Sequence, residues 1–212
     1  MLPSPEEFAR AWGADSLVRL SSRLATAPVP KDCRDFLVHV GLPALIRYFP
    51  GSSDGVITFC RLDSGLAPVL EEKTVGPPLP SEWSVYWIMG DEFFCNGAAW
   101  WCVHGPTGRV DRIDIEIEPP IEFANSSVAH FASALLGARL WSARSSRSSR
   151  DWPSEVDRFK HELAELDPAC LQSDRHFWPA YLDFIRSEGP HLGLFEKGSR
   201  AEGERALKAG PW

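Results

Sequence analysis

The fold is decided by residues 99–118, which read AWWCV, then HGPTG, then RVDRIDIEIE. Residues 99–103 and 110–118 are rich in β-branched and aromatic side chains, whereas residues 104–108 between them supply Gly and Pro for a turn. This pattern predicts a β-hairpin in which 99–103 and 110–118 are the two antiparallel arms.

Two earlier segments have the same β character. Residues 56–60 read as one strand and residues 85–89 as another, which Gly90 and Asp91 should close. Short loops between successive strands predict mainly antiparallel pairing. The pair Pro119-Pro120 should end the run of strands, because proline cannot donate to the ladder of hydrogen bonds.

Helical segments stand before and after the strands. Ser4 precedes a proline and two glutamates, which is typical of a capped helix start, and Gly13 should end that helix. Asn125-Ser126-Ser127 precedes apolar residues at helical spacing and should cap a further helix. Two more helices are predicted over residues 154–166 and 174–186.

The order helix, sheet, helices predicts a single α+β domain with a central, mainly antiparallel sheet flanked by helices. Residues 1–141 would carry the N-terminal helices, the sheet and the capped helix, and residues 154–195 would add helices that pack on the same domain. A Ser/Arg-rich loop over 142–153 would connect these two parts. The polar tail, 196–212, is expected to be frayed or disordered.

Composition and charge exclude several classes of protein. The chain has 212 residues, of which 22 are basic and 29 acidic, and phosphate binding needs clustered Lys and Arg. Its acidic, proline-broken start is unlike a secretory signal, and no stretch approaches the ~20 apolar residues of a membrane span. The five scattered cysteines read as reduced thiols. We therefore expect a cytoplasmic protein that binds neither a membrane nor nucleic acid directly.

Catalytic and metal-binding motifs are largely missing. The sequence has no glycine-rich phosphate loop and no nucleophile elbow. His161 begins a segment like a zinc-protease helix, but Glu165 stands where the second histidine is needed. Cys95, Cys102 and His104 match no standard metal spacing, and Cys102 reads as a small core residue. We therefore expect no enzyme, no catalytic residue, no metal and no cofactor.

The second arm of the predicted hairpin alternates between isoleucines and charged residues. In a strand, this alternation places the isoleucines on one face and the acidic side chains on the other. The charged face is either an ordinary solvated surface or an acidic platform for a basic partner. Asp91 and Glu92 would extend the platform, and whichever of Trp100 and Trp101 faces away from the core would anchor a partner or lie beneath a covering helix. The predicted partner-binding residues are Asp91, Glu92, Trp100, Asp114, Glu116 and Glu118.

The order of several short motifs resembles a known family. They are Gly41-Leu42-Pro43, an aromatic strand ending at Gly90, Gly105-Pro106-Thr107-Gly108-Arg109-Val110, Phe123-Ala124-Asn125-Ser126-Ser127, and Leu166-Asp167-Pro168-Ala169 before Trp178. Over about residues 36–188, this order resembles the fourth subfamily of the SUKH superfamily of immunity proteins. His104 replaces an aspartate that is typical of the family after the first arm of the hairpin.

The resemblance implies a non-enzymatic α+β domain of a bacterial polymorphic-toxin system, which binds a cognate toxin domain and blocks its site. A basic nuclease is the kind of toxin that suits an acidic binder, because its nucleic-acid groove is cationic. Two alternatives are kept. One is a regulatory or scaffolding adaptor on the same fold. The other is a small-molecule-binding protein whose pocket is lined by Trp87, Trp100 and Trp101.

Overall fold

The structure is a computed structural model of the chain, and it describes residue 2 and residues 4–19, 28–47, 56–59, 64–65, 81–94, 97–145, 151–188, 196–197 and 201–202. Within these residues the α-helices are α1 (Pro5–Trp12), α2 (Lys31–His39), α3 (Val128–Ser145), α4 (Trp152–Leu166) and α5 (Phe177–Glu188). Short 3-10 helices cover Ala14–Ser16, Ser81–Val85 and Pro168–Leu171.

The described strands form two sheets. They are β1 (Leu17–Val18), β2 (Leu42–Pro43), β3 (Leu45–Arg47), β4 (Val56–Thr58), β5 (Ser64–Gly65), β6 (Tyr86–Phe94), β7 (Gly97–His104), β8 (Val110–Ile113), β9 (Ile121–Asn125) and β10 (Glu196–Lys197). β1 pairs with β2, and the others form one sheet in the order β10-β3-β4-β6-β7-β8-β9, with β5 also paired to β6. All of these pairs are antiparallel, so the predicted α+β fold is confirmed, and the predicted hairpin is present as β7 and β8.

The helices build the larger core against one face of the sheet. Trp101 of β7 stacks on Phe131 of α3 with ring centroids 4.9 Å apart, and it meets Phe177 of α5 edge-on at 4.7 Å. Trp141 of α3 stacks on Phe159 of α4 at 5.4 Å. Buried residues of α1 and α2 belong to the same cluster. The helices and this face of the sheet therefore share one continuous hydrophobic core.

The opposite face of the sheet is also buried around β6 and β7. Trp83, from the 3-10 helix Ser81–Val85, belongs to a second buried cluster that contains Ile88, Trp100 and Cys102. Successive strand residues point to opposite faces, so Trp101 enters the larger core and Trp100 the smaller one. Of the two expectations for the second tryptophan, burial beneath a short helix is therefore the correct one.

The sequence predicts that this strand ends at Gly90, but β6 continues through Gly90 to Phe94. β4 and β6 come close together here, and a Cβ on residue 90 would stand 2.5 Å from the carbonyl oxygen of Thr58. Gly90 therefore marks a close approach of two strands rather than a turn.

β8 ends at Ile113, so the prediction of a strand over residues 110–118 is wrong beyond that residue. The Asp114 carboxylate accepts a hydrogen bond from the backbone N–H of Glu116 at 3.0 Å, and the Asp114 N–H donates to the Pro120 carbonyl at 2.9 Å. These bonds close a turn, and the chain returns as β9 after the prolines that were expected to end the sheet. A short polar side chain thus overrides the alternating pattern.

Two further segments differ from expectation. α3 continues past residue 141 to Ser145 and α4 begins at Trp152, while the rest of the predicted Ser/Arg-rich loop, 146–150, lies outside the described residues. In the tail that was expected to be frayed, β10 pairs with β3, and Glu202 Oε1 lies 3.6 Å from Arg47 Nη2. The other tail residues lie outside the described part of the chain.

Several helix ends and turns follow the sequence closely. Ser4 and Glu7 form a reciprocal capping box at the start of α1, and Gly13 ends that helix as predicted. Gly41 has a φ of +85°, and a Cβ there would stand 2.3 Å from the Val18 carbonyl oxygen. The Gly-Leu-Pro turn therefore requires glycine at its first position.

A buried carboxylate ties β9 to the surrounding helices. Asp167, directly after α4, accepts hydrogen bonds from the Ser126 N–H and hydroxyl, both at 2.7 Å, and from Asn125 Nδ2 at 3.0 Å. Asn125 Oδ1 accepts a hydrogen bond from the indole N–H of Trp178 in α5 at 2.9 Å. Ser127 Oγ caps α3 by accepting a backbone hydrogen bond from its first turn. The predicted cap is therefore present, and its first two residues join the sheet to α4 and α5.

Asp167→Ala should lower the free energy of unfolding by about 2–4 kcal/mol, because it removes one charged acceptor from three hydrogen bonds, including one from buried Asn125. Urea unfolding followed by tryptophan fluorescence measures the change. Asp174→Ala, in the exposed turn before α5, is the matched control and should keep wild-type stability. An equal loss in the two variants would contradict this role of Asp167.

Candidate partner-binding site

The six predicted partner-binding residues fall into two groups. Asp91 and Glu92 of β6 and Trp100 of β7 are only 1%, 3% and 2% exposed. The expectation that they form an exposed platform is wrong, because both faces of the sheet are covered around these strands. The other three predicted residues lie together in the turn after β8, over residues 114–118.

The guanidinium of Arg112, whose side chain is 13% exposed, connects the two groups. Arg112 of β8 binds Glu92 through two hydrogen bonds, from Nε at 3.0 Å and from Nη2 at 3.1 Å. It also donates to Glu122 of β9 at 2.7 Å and to Asp114 at 3.2 Å. Burial alone would lower the pKa of Arg112, but the carboxylates of Glu92 and Glu122 raise it above its ordinary value. With Trp101 Nε1 donating to Glu92 at 2.8 Å, the network joins β6, β7, β8 and β9 to the base of the turn.

The acidic turn, which we define as residues 114–118, presents apolar and acidic side chains side by side. Ile115 and Ile117 are 42% and 39% exposed, and the two glutamates of the turn are also exposed. Asp114 binds both the Arg112 guanidinium and a backbone N–H within the turn, so it fixes the base of the turn. A fixed surface of carboxylates and aliphatic side chains suits a partner that is basic and partly apolar.

A second polar cluster lies near the turn of the β7–β8 hairpin. The buried Asp111 carboxylate accepts hydrogen bonds from the Tyr86 hydroxyl at 2.9 Å and from Arg109 Nε at 2.8 Å. Burial raises the pKa of Asp111 above its ordinary value, although Arg109 opposes the shift. Burial together with Asp111 raises the pKa of Tyr86 to about 12. No sequence motif marks this cluster, because strand pairing alone brings its members together.

The described cysteines are unsuited to nucleophilic chemistry. Cys33, Cys102 and Cys170 are buried, and burial raises the pKa of each thiol, in Cys170 to about 12. A thiol with a raised pKa stays protonated at neutral pH, whereas the nucleophile is the thiolate. Cys60 and Cys95 lie outside the described residues.

Other expected features can be placed on the structure. His161 and Glu165 stand on the exposed side of α4 with Nε2 and Oε1 3.3 Å apart. Among the residues that the structure describes, no three His, Cys, Asp or Glu side chains are grouped to hold a metal ion. No helix in the described ranges has the length and apolar character needed to cross a membrane.

The three tryptophans of the alternative ligand pocket lie on two sides of the sheet. Trp87 and Trp101 pack in the larger core, whereas Trp100 belongs to the smaller one. The predicted pocket lined by all three indoles is therefore wrong.

Arg112→Met should lower the free energy of unfolding by about 3–5 kcal/mol, because Glu92 would stay buried without its guanidinium partner. The double variant Arg112→Met/Glu92→Gln should recover part of this loss, because the amide carries no charge. Urea unfolding of the two single variants and the double variant gives the coupling energy. Strictly additive losses would contradict the ion pair as a buried, coupled unit.

Asp111 should make stability fall as the pH rises. Because its pKa is higher in the folded protein than in the unfolded chain, the folded state binds more protons between these two values. The stabilising contribution is complete below the ordinary carboxyl pKa of about 4 and is lost as the pH rises through the folded value. Urea unfolding across this window should show the wild type losing stability relative to Asp111→Asn. A relative gain by the wild type with rising pH would contradict the raised pKa.

The chain is similar over most of its length to one family of proteins. The sequence profile described as SUKH-4 immunity protein matches residues 3–184, which include the hairpin, the acidic turn and the Asp167 network. No curated protein and no solved structure matches the chain. The chain belongs to the SUKH-4 immunity protein family, as the order of its motifs predicted.

Proposed function

We propose that this protein is an immunity protein that binds a cognate toxin domain directly and neutralises it. The family match over residues 3–184 is the observation that carries the proposal. In this role the protein acts in the bacterial cytoplasm as a binder, with no catalytic step of its own. Its net charge of −7 supports binding to a basic toxin.

The acidic turn is the part of the surface that we assign to toxin contact. Glu116 and Glu118 are exposed, and Asp114 supports them at the base of the turn. Glu92 takes part only indirectly, because it holds the guanidinium that binds Asp114. Asp91 and Trp100 are buried within the sheet and are not contact residues in this assignment.

A nuclease is the toxin class that these charges suit best. A nucleic-acid groove is cationic because it binds phosphates, so an acidic and partly apolar surface can occupy the same groove. Charge attraction would speed the encounter, and the exposed Ile115 and Ile117 would add apolar contact once the turn has docked.

The function is tested by capturing the protein with its partner from the native host and then studying the purified pair. We expect a stoichiometric partner with a toxin domain, and co-expression of this protein should restore the growth of cells that produce that domain. Capture of several housekeeping proteins without a toxin domain would contradict the proposal and favour the adaptor alternative.

Glu116→Lys/Glu118→Lys should slow association with the captured toxin domain by about tenfold at low ionic strength, because charge steering is reversed locally. Stopped-flow association kinetics at several salt concentrations measure the change. The matched control is Glu82→Lys/Asp183→Lys, which changes the net charge equally at two other exposed positions. Equal slowing in the two double variants would show that only the overall charge matters and would contradict a specific role for the acidic turn.

A further inference from the structure

An open groove lies between α3 and α4, and Phe159 of α4 is among the residues that line it. Its cavity volume is about 290 Å³. Leu136 and Leu140 of α3 line it together with Leu163 and Leu166 of α4. Leu140 is 48% exposed, the most exposed large hydrophobic side chain in the described part of the chain. A cavity of this size fits one or two side chains of a partner better than a complete ligand of drug size.

Gly137 keeps the floor of the groove open. It stands inside α3, where glycine costs about 1 kcal/mol relative to alanine, and its backbone does not adopt a positive φ. A Cβ at this position would meet Phe159 Cε2 at 3.4 Å, an ordinary contact distance. Alanine would therefore fit the fold and favour the helix, so the benefit of glycine here is the space that it leaves above Phe159.

The charges around the groove are unbalanced toward the end of α4. Glu162 and Glu165 line the groove, and α4 has no basic residue in its last turn. The carbonyl end of a helix is itself partially negative, so carboxylates there are unfavourable until a cation approaches. Glu162 forms an ion pair with Arg144, with Oε1 and Nη2 3.0 Å apart. The Glu165 side chain is 70% exposed, and its ion-pair partner, His161, is charged only when protonated. A Lys or Arg from outside would be attracted to this site.

We propose that the groove between α3 and α4 receives an apolar side chain of the toxin, carried on a segment with a neighbouring Lys or Arg that binds Glu165. This inference rests on the proposed function and adds a second contact surface to the acidic turn. A second copy of this acidic chain is a poorer occupant, because it would bring its own excess of carboxylates to Glu162 and Glu165.

The chemistry of the groove is tested first with a defined probe. A labelled helical peptide of Leu and Lys should bind the full-length chain in fluorescence anisotropy, and a Leu and Glu peptide with the same Leu positions should bind far more weakly. Leu140→Gln should lower the affinity for the Leu and Lys peptide by about tenfold, because roughly half of the apolar area of one leucine is no longer buried on binding. Glu165→Gln should also lower the affinity for this peptide and make the affinity less dependent on salt concentration.

Gly137→Ala separates binding from folding. It should keep or raise the thermal stability, because alanine is the better helix former, while it weakens peptide binding by filling the floor of the groove. Glu82→Gln, at an exposed position outside both the groove and the acidic turn, is the matched control and should leave peptide binding unchanged. Unchanged binding in both Gly137→Ala and Leu140→Gln, or equal binding of the Leu and Glu peptide, would overturn the groove as a site for this chemistry.

The captured toxin domain then identifies the occupant. Displacement of the Leu and Lys peptide from the wild type by the toxin domain supports the groove as a toxin site. A toxin domain that binds the protein and leaves the peptide in place overturns the inference and leaves the proposed function standing. A captured domain that does not bind the purified protein at all overturns both.

Discussion

The double hydrogen bond between Arg112 and Glu92 is the interaction on which the sheet and the acidic turn depend. A charged pair inside a sheet that is covered on both faces is tolerated only when its geometry is nearly complete, and here the same guanidinium also binds Glu122 and Asp114. One side chain therefore fixes the register of three strands and the base of the turn that follows β8. The acidic side chains that stay available to a partner in this region are those beyond the end of the strand.

Much of the fold could be predicted because its signals are local. The capping box at Ser4, the Gly41 turn and the β7–β8 hairpin each depend on a few neighbouring residues, and the structure has all three. The predictions are wrong where a segment that is distant in the sequence determines whether a strand ends or a side chain is buried. Gly90 looks like a strand end until Thr58 is placed beside it, and Asp91, Glu92 and Trp100 look like surface residues until both faces of the sheet are covered.

The candidate site could be predicted only in part, for a related reason. Glu116 and Glu118 are exposed as expected, but they lie in a turn closed by Asp114 rather than on one face of a strand, and the Asp114 side chain itself is only 15% exposed. The groove between α3 and α4 has no sequence signature, because its walls come from two separate helices. The space in it comes from Gly137, and a single glycine does not break the apolar periodicity that predicts a helix. The chain belongs to the SUKH-4 immunity family, and the function that we propose assigns both surfaces to contact with one basic partner.

The central claim is that exposed carboxylates beside apolar side chains, and not the buried acids of the sheet, meet the toxin. Amide hydrogen exchange of the full-length protein with and without the captured toxin domain tests it most directly. We predict added protection in residues 114–118 and along the groove in residues 133–140 and 162–166, with little change in β6 and β7. A complex in which all added protection lies outside both the acidic turn and the groove would contradict the account.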